Sequence, residues 1–418
     1  MNASAGCGTS RRGCAGVFSV LTPPGRGGIA VVRCLGPAAP ETIAACFRAP
    51  RAVQSPQMSP SLTGANLREP TPPAPDLPDI GRLAYGHFTD ADGRPLDEII
   101  LYREAETVFE VNCHGGPAAV EAVCRRLADL GLEQVDPDRL LALEGAEPIE
   151  RDAERMLREA RTPLAGRILL DQRNGALARA IDKILKALAA GRLAEAGKEL
   201  DALLERWLSC GRLVASPPRV AVAGPPNVGK STLVNRLVGA ERVLVSATPG
   251  TTRDYVEADA AIEGLPVVLV DTAGLRETEE HVEREGVARA RREMRAAAAV
   301  VYLLDAVEGA QPGDEAALEA LGVRAVAAWN KADLAPGPLG PPAAVAISAL
   351  VGDGIEALVG SVLARLGWRP PAAAGDAVPF TPAQAEAIER ARDALAKGDS
   401  AAAKESLESL AGGATSAG

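Results

Sequence analysis

The sequence predicts a fold of class α/β plus α, in which an α/β unit is inserted between two segments of one helical domain. A chain of 418 residues is long enough for two or three domains of about 150 residues each. Strand-like runs fill the first third, helical spacing follows, and strands then alternate with helices. We therefore expect an α+β domain at 16–140, a helical domain at 141–215 and 375–418, and an α/β domain at 216–370.

The first region has the pattern of a small α+β domain. An apolar stretch that starts at Val17 is interrupted by a glycine-rich turn, and a second strand ends at Arg33. Further strands are expected at 83–88, 98–102 and 108–112, and a helix over 117–130. Eight prolines between Pro50 and Pro78 oppose helix and central strand, which predicts a mobile insertion loop.

Helical periodicity marks the second region. Apolar residues recur every three or four positions from Leu177 to Leu188 and again from Leu200 to Trp207. Pro217 and Pro218 end this pattern, and residues 381–410 resume it after a linker of small residues. The two stretches predict the two segments of the helical domain.

Composition excludes several classes of protein. The net charge of −10 gives no global basic field for coating nucleic acid, although a local RNA-binding patch stays open. No run approaches the roughly 18 apolar residues of a membrane span, and no secretory signal is seen at the N-terminus. Seven cysteines without a C-x-x-C pair argue against a disulfide framework and a zinc ribbon. A cytoplasmic protein with reduced thiols is expected.

A phosphate-binding loop is predicted between a strand at 220–223 and a helix that starts near Thr232. The run from Gly224 to Ser231 fits G-x-x-x-x-G-K-[ST]. Its glycines let backbone N–H groups surround phosphates, Lys230 can reach the β- and γ-phosphates, and the Ser231 hydroxyl can bind Mg²⁺. The alternative is a chance glycine turn.

Three further motifs follow in order, each after a predicted strand. Asp271-Thr272-Ala273-Gly274 can hold Mg²⁺ through water and sense the γ-phosphate. In Asn330-Lys331-Ala332-Asp333, the Asp333 carboxylate can accept hydrogen bonds from N1–H and the 2-amino group of guanine, which adenine does not offer. Ser348-Ala349-Leu350 can support the base through backbone N–H groups. Ligands bind at the carboxyl ends of strands in open α/β sheets, so the sequence predicts a GTP site.

The expected GTP contacts therefore come from five segments, one of them a switch loop between the first two motifs. They are Gly224, Asn227, Val228, Gly229, Lys230, Ser231 and Thr232; Ser246, Ala247, Thr248, Pro249, Gly250, Thr251 and Thr252; Asp271, Thr272, Ala273 and Gly274; Asn330, Lys331 and Asp333; and Ser348, Ala349 and Leu350.

The sequence identifies the residue that activates the attacking water less directly than it identifies the nucleotide contacts. The position after the D-x-x-G motif, where many GTPases have a glutamine, is Leu275, which neither donates nor accepts. Thr252 is the candidate to close over the nucleotide and complete the Mg²⁺ shell. Asn227 could help coordinate a monovalent cation with carbonyls of 246–251, or could simply tolerate a turn conformation. Glu283 could orient water or act as base, or could be a solvated helix charge.

At this point the chain resembles the MnmE (TrmE) tRNA modification GTPases over most of its length. The turn from Thr22 to Gly28 is similar to the family's N-terminal signature, and 109–117 to its E-x-x-G-H-G-G-P segment, with Cys113 in place of glycine. Gly250 to Asp254, Asp271 to Glu277 and Val282-Glu283-Arg284 match closely.

The resemblance implies a folate-binding N-terminal domain, a two-segment helical domain and an inserted GTPase domain. It implies K⁺-stimulated GTP hydrolysis in which Lys230, Thr252 and Glu283 are catalytic, Glu283 orienting the water. By carry-over, Ser231 and Thr252 bind Mg²⁺, and Arg33 and Glu110 contact a tetrahydrofolate. K⁺ would be held by Asn227, Ser246, Thr248 and Thr251.

The same resemblance implies partners and a reaction. The family forms a homodimer and acts with a flavoprotein, MnmG, in a heterotetramer on the wobble uridine of tRNA. It adds an aminomethyl-type group at carbon 5, with the one-carbon unit taken from a tetrahydrofolate. From the residues alone, Arg33 could equally be a strand-end surface cation and Glu110 an outward strand residue.

Two departures set an alternative beside this expectation. A family lysine that contacts folate is not recognisable around 132–154, and no cysteine follows Cys210, whereas the family usually ends in Cys-x-Gly-Lys. A divergent GTP-dependent dimerisation switch without the modification chemistry is therefore the second hypothesis. A ribosome-associated GTPase ranks last because no basic RNA-binding module is found. Cys113 is expected to be a buried thiol.

Overall fold

The computed structural model describes residues 16–23, 27–49, 77–240, 257–271, 294–335, 337, 339–340, 345–410 and 412. They fall in two compact units, Met1–Ala146 and Glu147–Gly418. The proline-rich segment that the sequence predicts to be mobile lies outside the described residues up to position 76.

The first unit is built on a seven-stranded sheet in the order β3-β4-β5-β6-β2-β1-β7. Neighbouring strands are antiparallel except β1 and β7, which are parallel. The strands are β1 (Val17–Val20), β2 (Ile29–Leu35), β3 (Phe47–Arg48), β4 (Arg82–Thr89), β5 (Pro95–Ala105), β6 (Val108–His114) and β7 (Glu133–Gln134). The helices are α1 (Ala39–Cys46), α2 (Pro117–Asp129) and α3 (Pro137–Leu143). The predicted strands and the predicted helix of this region are confirmed.

The two faces of this sheet differ because successive side chains of a strand point to opposite sides. One face is the core, where Phe18, Val32 and Phe109 are fully buried. The other face carries exposed apolar side chains, at Ile29, Leu83, Tyr85 and Ile100. Arg33 and Glu110 are paired across β2 and β6 on this second face.

The second unit begins with helices and continues with a sheet. The helical part contains α4 (Pro148–Leu157), α5 (Pro163–Arg173), α6 (Ala176–Ala189), α7 (Leu193–Arg206), a π-helical segment (Trp207–Gly211) and α8 (Arg212–Ala215). The strands of the sheet are β8 (Arg219–Ala223), β9 (Glu257–Ile262), β10 (Leu265–Asp271), β11 (Ala299–Asp305), β12 (Ala325–Asn330) and β13 (Val345–Ala346). The helices of the α/β part are α9 (Lys230–Ala240), α10 (Asp314–Leu321) and α11 (Ile355–Leu366), and α12 (Pro382–Ala396) and α13 (Ser400–Glu408) return to the helical part.

The sheet has the order β13-β12-β11-β8-β10-β9, and only β9 is antiparallel to its neighbour. Parallel strands with helical crossovers place the loops after β8, β10, β11 and β12 at one edge. The four motifs predicted to bind nucleotide begin at the ends of these strands or of the short β13.

One apolar cluster joins the helical part to one face of the sheet, running from Ile168 and Leu200 to Val222 and Leu269. A second cluster, with Val300 and Trp329, covers the other face. The chain returns to the helical part close to Gly211, where an added Cβ would lie 1.8 Å from the carbonyl oxygen of Pro379. Among the described residues, no helix has the length and apolarity needed to cross a membrane.

Candidate functional site

The loop between β8 and α9 has the backbone of a phosphate-binding loop. Gly224 and Gly229 have φ angles of +139° and +97°, a region that favours glycine. At Gly229 a Cβ would also lie 2.4 Å from the Asn330 amide nitrogen. The ammonium of Lys230, 7% exposed, donates to the carbonyls of Gly224 (3.1 Å) and Pro225 (2.7 Å). The Lys230 ammonium therefore lies against the phosphate-binding loop, as the motif predicts.

Two oxygen ligands suited to a hard cation meet at the start of α9. The Ser231 hydroxyl donates to Asp271 Oδ2 across 2.6 Å, joining the first motif to the end of β10. Hydroxyl and carboxylate oxygens beside a phosphate loop fit Mg²⁺, which prefers oxygen ligands and keeps several waters. The other predicted Mg²⁺ ligand, Thr252, lies outside the described residues.

Asn330 links three of the predicted segments. Its buried amide donates to the carbonyl of Val228 (2.6 Å) and accepts from the backbone N–H of Ala349 (2.8 Å). The asparagine thus ties the phosphate loop to the Ser348-Ala349-Leu350 loop. Asp333 is exposed on the 3₁₀ turn Ala332–Leu334, with its carboxylate accessible to a base.

Asp305 at the end of β11 is part of the site and was missed by the sequence analysis. Its Oδ2 is 2.5 Å from the ammonium of Lys331. Burial opposes ionisation, but the Lys331 hydrogen bond and the backbone N–H groups of Val307 and Glu308 outweigh it and lower the pKa of the Asp305 carboxyl. An aspartate at the carboxyl end of a parallel strand was the available signal. The charged pair fixes Lys331, whose φ is +64°.

Asn227 has a left-handed backbone, with φ at +59°. Asparagine tolerates this conformation better than most residues, as the turn interpretation expects. The side chain is exposed, so the conformation leaves its oxygen accessible to a cation as well.

Several predicted site residues lie outside the described part of the chain, so the structure places none of them. They are Ser246, Ala247, Thr248, Pro249, Gly250, Thr251, Thr252, Thr272, Ala273, Gly274 and Glu283.

A second polar site lies in the first unit, around Arg33. Its guanidinium donates to Glu104, Glu110 and Glu144, each across 2.6 Å. Burial opposes the charge, but the hydrogen bonds to Glu104 and Glu144 and their negative charge raise the pKa of the Arg33 guanidinium. Arg33 is thus neither a free surface cation nor an isolated pocket residue. Glu104 and Glu144 were missed, since nothing in their spacing points to Arg33.

The charges of the Arg33 cluster suit one end of a tetrahydrofolate better than the other. A carboxylate such as Glu110 can accept hydrogen bonds from the N–H groups of the pterin ring. Three carboxylates around one guanidinium sum to a charge of −2, which disfavours the anionic tail. The residues present therefore fit the ring of such a cofactor better than its tail, and Arg33 holds the Glu110 carboxylate in place.

Cys113 is buried as predicted. Burial raises the pKa of its thiol to about 11, so it is largely protonated at neutral pH. Its neighbour His114 is exposed and lies with Nδ1 2.6 Å from Asp97 Oδ1. Among the described residues, no group of three or more His, Cys, Asp or Glu could hold a metal ion.

Comparison with known proteins agrees with this geometry. Residues 219–331 match the family model described as "50S ribosome-binding GTPase". Residues 16–138 match the model described as "GTP-binding protein TrmE N-terminus". A phosphate loop, an Asp at the end of the next parallel strand and an N-K-x-D turn on one sheet edge define a P-loop GTPase, and the chain is a GTP hydrolase.

Similar proteins of other organisms identify the family more specifically than the two domain models do. The tRNA modification GTPase MnmE of Aromatoleum aromaticum is 36% identical over 394 residues, covering 84% of this chain and 81% of that protein. MnmE of Parasynechococcus marenigrum is 35% identical over 381 residues, covering 82% and 80%. MnmE of Nitrosospira multiformis is 32% identical over 398 residues, covering 85% and 82%. The chain belongs to the MnmE/TrmE family of tRNA modification GTPases.

Proposed function

We propose that the chain is a K⁺-dependent GTPase whose cycle drives modification of carbon 5 of the wobble uridine in tRNA. The observation that carries the proposal is the contact of Ser231 with Asp271 beside Lys230, in a chain related to MnmE over more than four fifths of its length. This arrangement supplies cation ligands and a phosphate-binding ammonium at one sheet edge.

The residues of the site have proposed roles in nucleotide binding and in hydrolysis. Lys230 binds the β- and γ-phosphates, and Ser231 holds Mg²⁺ with Asp271 behind it and Thr252 as its partner ligand. Bound Mg²⁺ would neutralise charge on the phosphates.

Asp333 accepts hydrogen bonds from guanine, and Asn330 connects the loop at the base to the loop at the phosphates. Glu283 orients the attacking water, a role that Leu275 cannot fill.

The dependence on K⁺ is proposed for Asn227 with Ser246, Thr248 and Thr251. A bound monovalent cation would supply the positive charge that an arginine finger supplies in other GTPases. The exposed, left-handed Asn227 of the phosphate loop can turn its side-chain oxygen toward a cation beside the bound phosphates. Steady-state GTP hydrolysis in KCl and in NaCl of equal ionic strength tests this. Equal rates in the two salts would remove the K⁺ role.

A homodimer is proposed, and the outer sheet face of the first unit supports it. Four apolar side chains of this face are between 43% and 66% exposed: Leu83 and Tyr85 on β4, Ile100 on the neighbouring β5, and Ile29 on β2, which β6 separates from β5. Such a patch is typical of an interaction surface. Sedimentation of the full chain, and of a Tyr85→Glu variant, tests this surface. A wild-type monomer would contradict the dimer.

The modification itself needs partners and a one-carbon donor. We propose that the homodimer joins an MnmG-like flavoprotein in a heterotetramer that binds tRNA. The one-carbon unit for the aminomethyl-type group would come from a tetrahydrofolate, with Glu110 and Arg33 at its ring. No residue of this chain is proposed to transfer that unit.

The test is mass spectrometry of wobble nucleosides in tRNA from cells that lack this gene. A missing carbon-5 substituent that returns with the intact gene, and not with a Lys230→Ala variant, supports the proposal. An unchanged nucleoside profile, in cells without a second copy of the family, would contradict it.

A divergent GTP switch that has lost the modification chemistry is the second candidate. The saturation of Arg33 by three carboxylates favours it, because the anionic tail of folate gains no free guanidinium there. Calorimetric titration with 5-formyl-tetrahydrofolate separates the two candidates. Saturable binding that is lost in Glu110→Ala would count against the switch, and absence of binding would favour it.

A further inference from the structure

Arg236 reaches from α9 to the loop that follows β13. Its Nε donates to the carbonyl of Ala349 across 2.6 Å, and its Nη2 donates to the carbonyl of Leu350. Gly352, with φ at +113°, lies against the same guanidinium, and a Cβ there would be 2.8 Å from Nη1. The half-buried arginine therefore packs against one short loop and holds two consecutive carbonyls of it.

These two hydrogen bonds fix the direction of backbone N–H groups. In a planar trans peptide the N–H points opposite to the carbonyl of the preceding residue. The Ala349 carbonyl faces Arg236, so the N–H of Leu350 points away from α9. The Leu350 carbonyl also faces Arg236, and the Val351 N–H on the far side donates to the Ser348 hydroxyl across 3.1 Å.

Among the three N–H groups of the motif Ser348-Ala349-Leu350, that of Leu350 stays available to a base. The Ala349 N–H is already used by Asn330 Oδ1, at 2.8 Å. The Ser348 N–H donates to the carbonyl of Asp353, at 2.9 Å. Within the described part of the chain, the Leu350 N–H has no hydrogen-bond partner.

We propose that Arg236 is a positioning residue for guanine recognition, which aims the Leu350 N–H at the O6 oxygen of the base. The proposal rests on the guanine site proposed above and adds a residue outside its four motifs. Asp333 recognises the N1–H and 2-amino edge of the base, and Arg236 acts on the O6 edge through the loop.

The position of Arg236 also couples the base to the phosphates. Lys230 and Ser231 form the first turn of α9, and Arg236 lies on the same helix. Asn330 closes the ring by bridging Ala349 to Val228 of the phosphate loop. A shift of α9 therefore moves the loop carbonyls that Arg236 holds.

The experiment compares three nucleotides by calorimetry on the full chain. GDP has all guanine groups, 6-thio-GDP has a weak acceptor in place of O6, and IDP lacks the 2-amino group. For Arg236→Met we expect GDP affinity to fall about tenfold, because the Leu350 N–H is no longer held toward O6 and one hydrogen bond to the base is lost. The preference for GDP over 6-thio-GDP should shrink, while the preference for GDP over IDP is kept.

Arg324→Met is the matched control. Arg324 also donates to backbone carbonyls in the α/β part, those of Met294, Arg295 and Ala297, but not in the base loop. We expect all three affinities to be unchanged in that variant. Arg236→Lys, which keeps a cationic donor, should fall between wild type and Arg236→Met and serves if the methionine variant does not fold.

Two results would overturn the proposal. One is an unchanged ratio of GDP to 6-thio-GDP affinity in the Arg236 variants. The other is an equal loss for all three nucleotides, which marks a purely structural role. Failure of the guanine site itself gives a different result, namely no preference of the wild-type chain for GDP over ADP.

Discussion

Thr162 donates its hydroxyl to the carbonyl of Gly264 across 2.6 Å, and this bond joins α5 to the turn between β9 and β10. The same hydroxyl caps α5 by accepting from the backbone N–H of Ala165, and the side chain is fully buried. Arg161 adds an ion pair with Asp259 on β9, at 2.6 Å. Strand β10 begins next to this turn and ends in Asp271. It therefore connects the helical part to the end of the sheet at which the nucleotide motifs lie.

Replacing Thr162 with valine should therefore weaken the second unit. Val keeps the shape but removes both the helix cap and the hydroxyl that donates to the Gly264 carbonyl. We expect a loss of about 2 kcal/mol in the free energy of unfolding. Urea denaturation measures it. Thr162→Ser keeps the hydroxyl and should lose less than half as much; equal losses in the two variants would contradict the role of the hydroxyl.

Replacing Glu283 with alanine should lower turnover and keep GTP affinity. Orientation of water acts mainly in the transition state, so kcat should fall by at least about tenfold while KM changes little. Steady-state hydrolysis gives kcat and KM, and the binding of a fluorescent GTP analogue measures the affinity separately. Glu315→Ala, an exposed glutamate at the start of α10, is the control. Unchanged turnover in the Glu283 variant would make it a surface charge.

Asp333→Asn should abolish the preference for guanine. One carboxylate oxygen becomes an amide donor that faces the N–H donors of the base, so the affinity ratio of GTP to ATP should fall by at least about a hundredfold. Competition binding with both nucleotides measures the ratio. An Asp353→Asn variant, close in the chain to the other base loop, controls for charge. Selectivity equal to that of wild type would exclude the proposed base contact.

The ion pair of His114 with Asp97 predicts that the His114 imidazole titrates at a higher pH than an isolated histidine. The hydrogen bond that the imidazole donates to Asp97, together with the negative charge of that carboxylate, raises the pKa of His114 above its ordinary 6.5. A raised native pKa means that the pair stabilises the fold below the unfolded pKa and that this contribution disappears as the pH rises through the native pKa. An NMR titration of the imidazole should show a higher pKa in wild type than in Asp97→Asn. Identical titration curves would show that the pair has no influence.

The described loops of the candidate nucleotide site follow the strands where the motifs predict them, because each motif is a short run whose backbone is set locally. The turn between β8 and α9 has its glycines at the two positive-φ positions Gly224 and Gly229, and Asp333 lies on its own 3₁₀ turn. Arg236 and Glu144 were missed because each contacts a residue far along the chain. Arg236 meets Ala349 across 113 positions and Arg33 meets Glu144 across 111.

The predicted strands and helices, the GTP motifs and the family could all be recognised from short runs of residues. Hydrophobic periodicity and glycine placement are local properties that need no knowledge of distant neighbours. Three features could be seen only in the folded chain: one apolar cluster joins the helices to the sheet, Thr162 contacts Gly264, and three glutamates surround Arg33. These contacts depend on how strands and helices pack, and pairing between residues a hundred positions apart leaves no periodic trace in a single sequence.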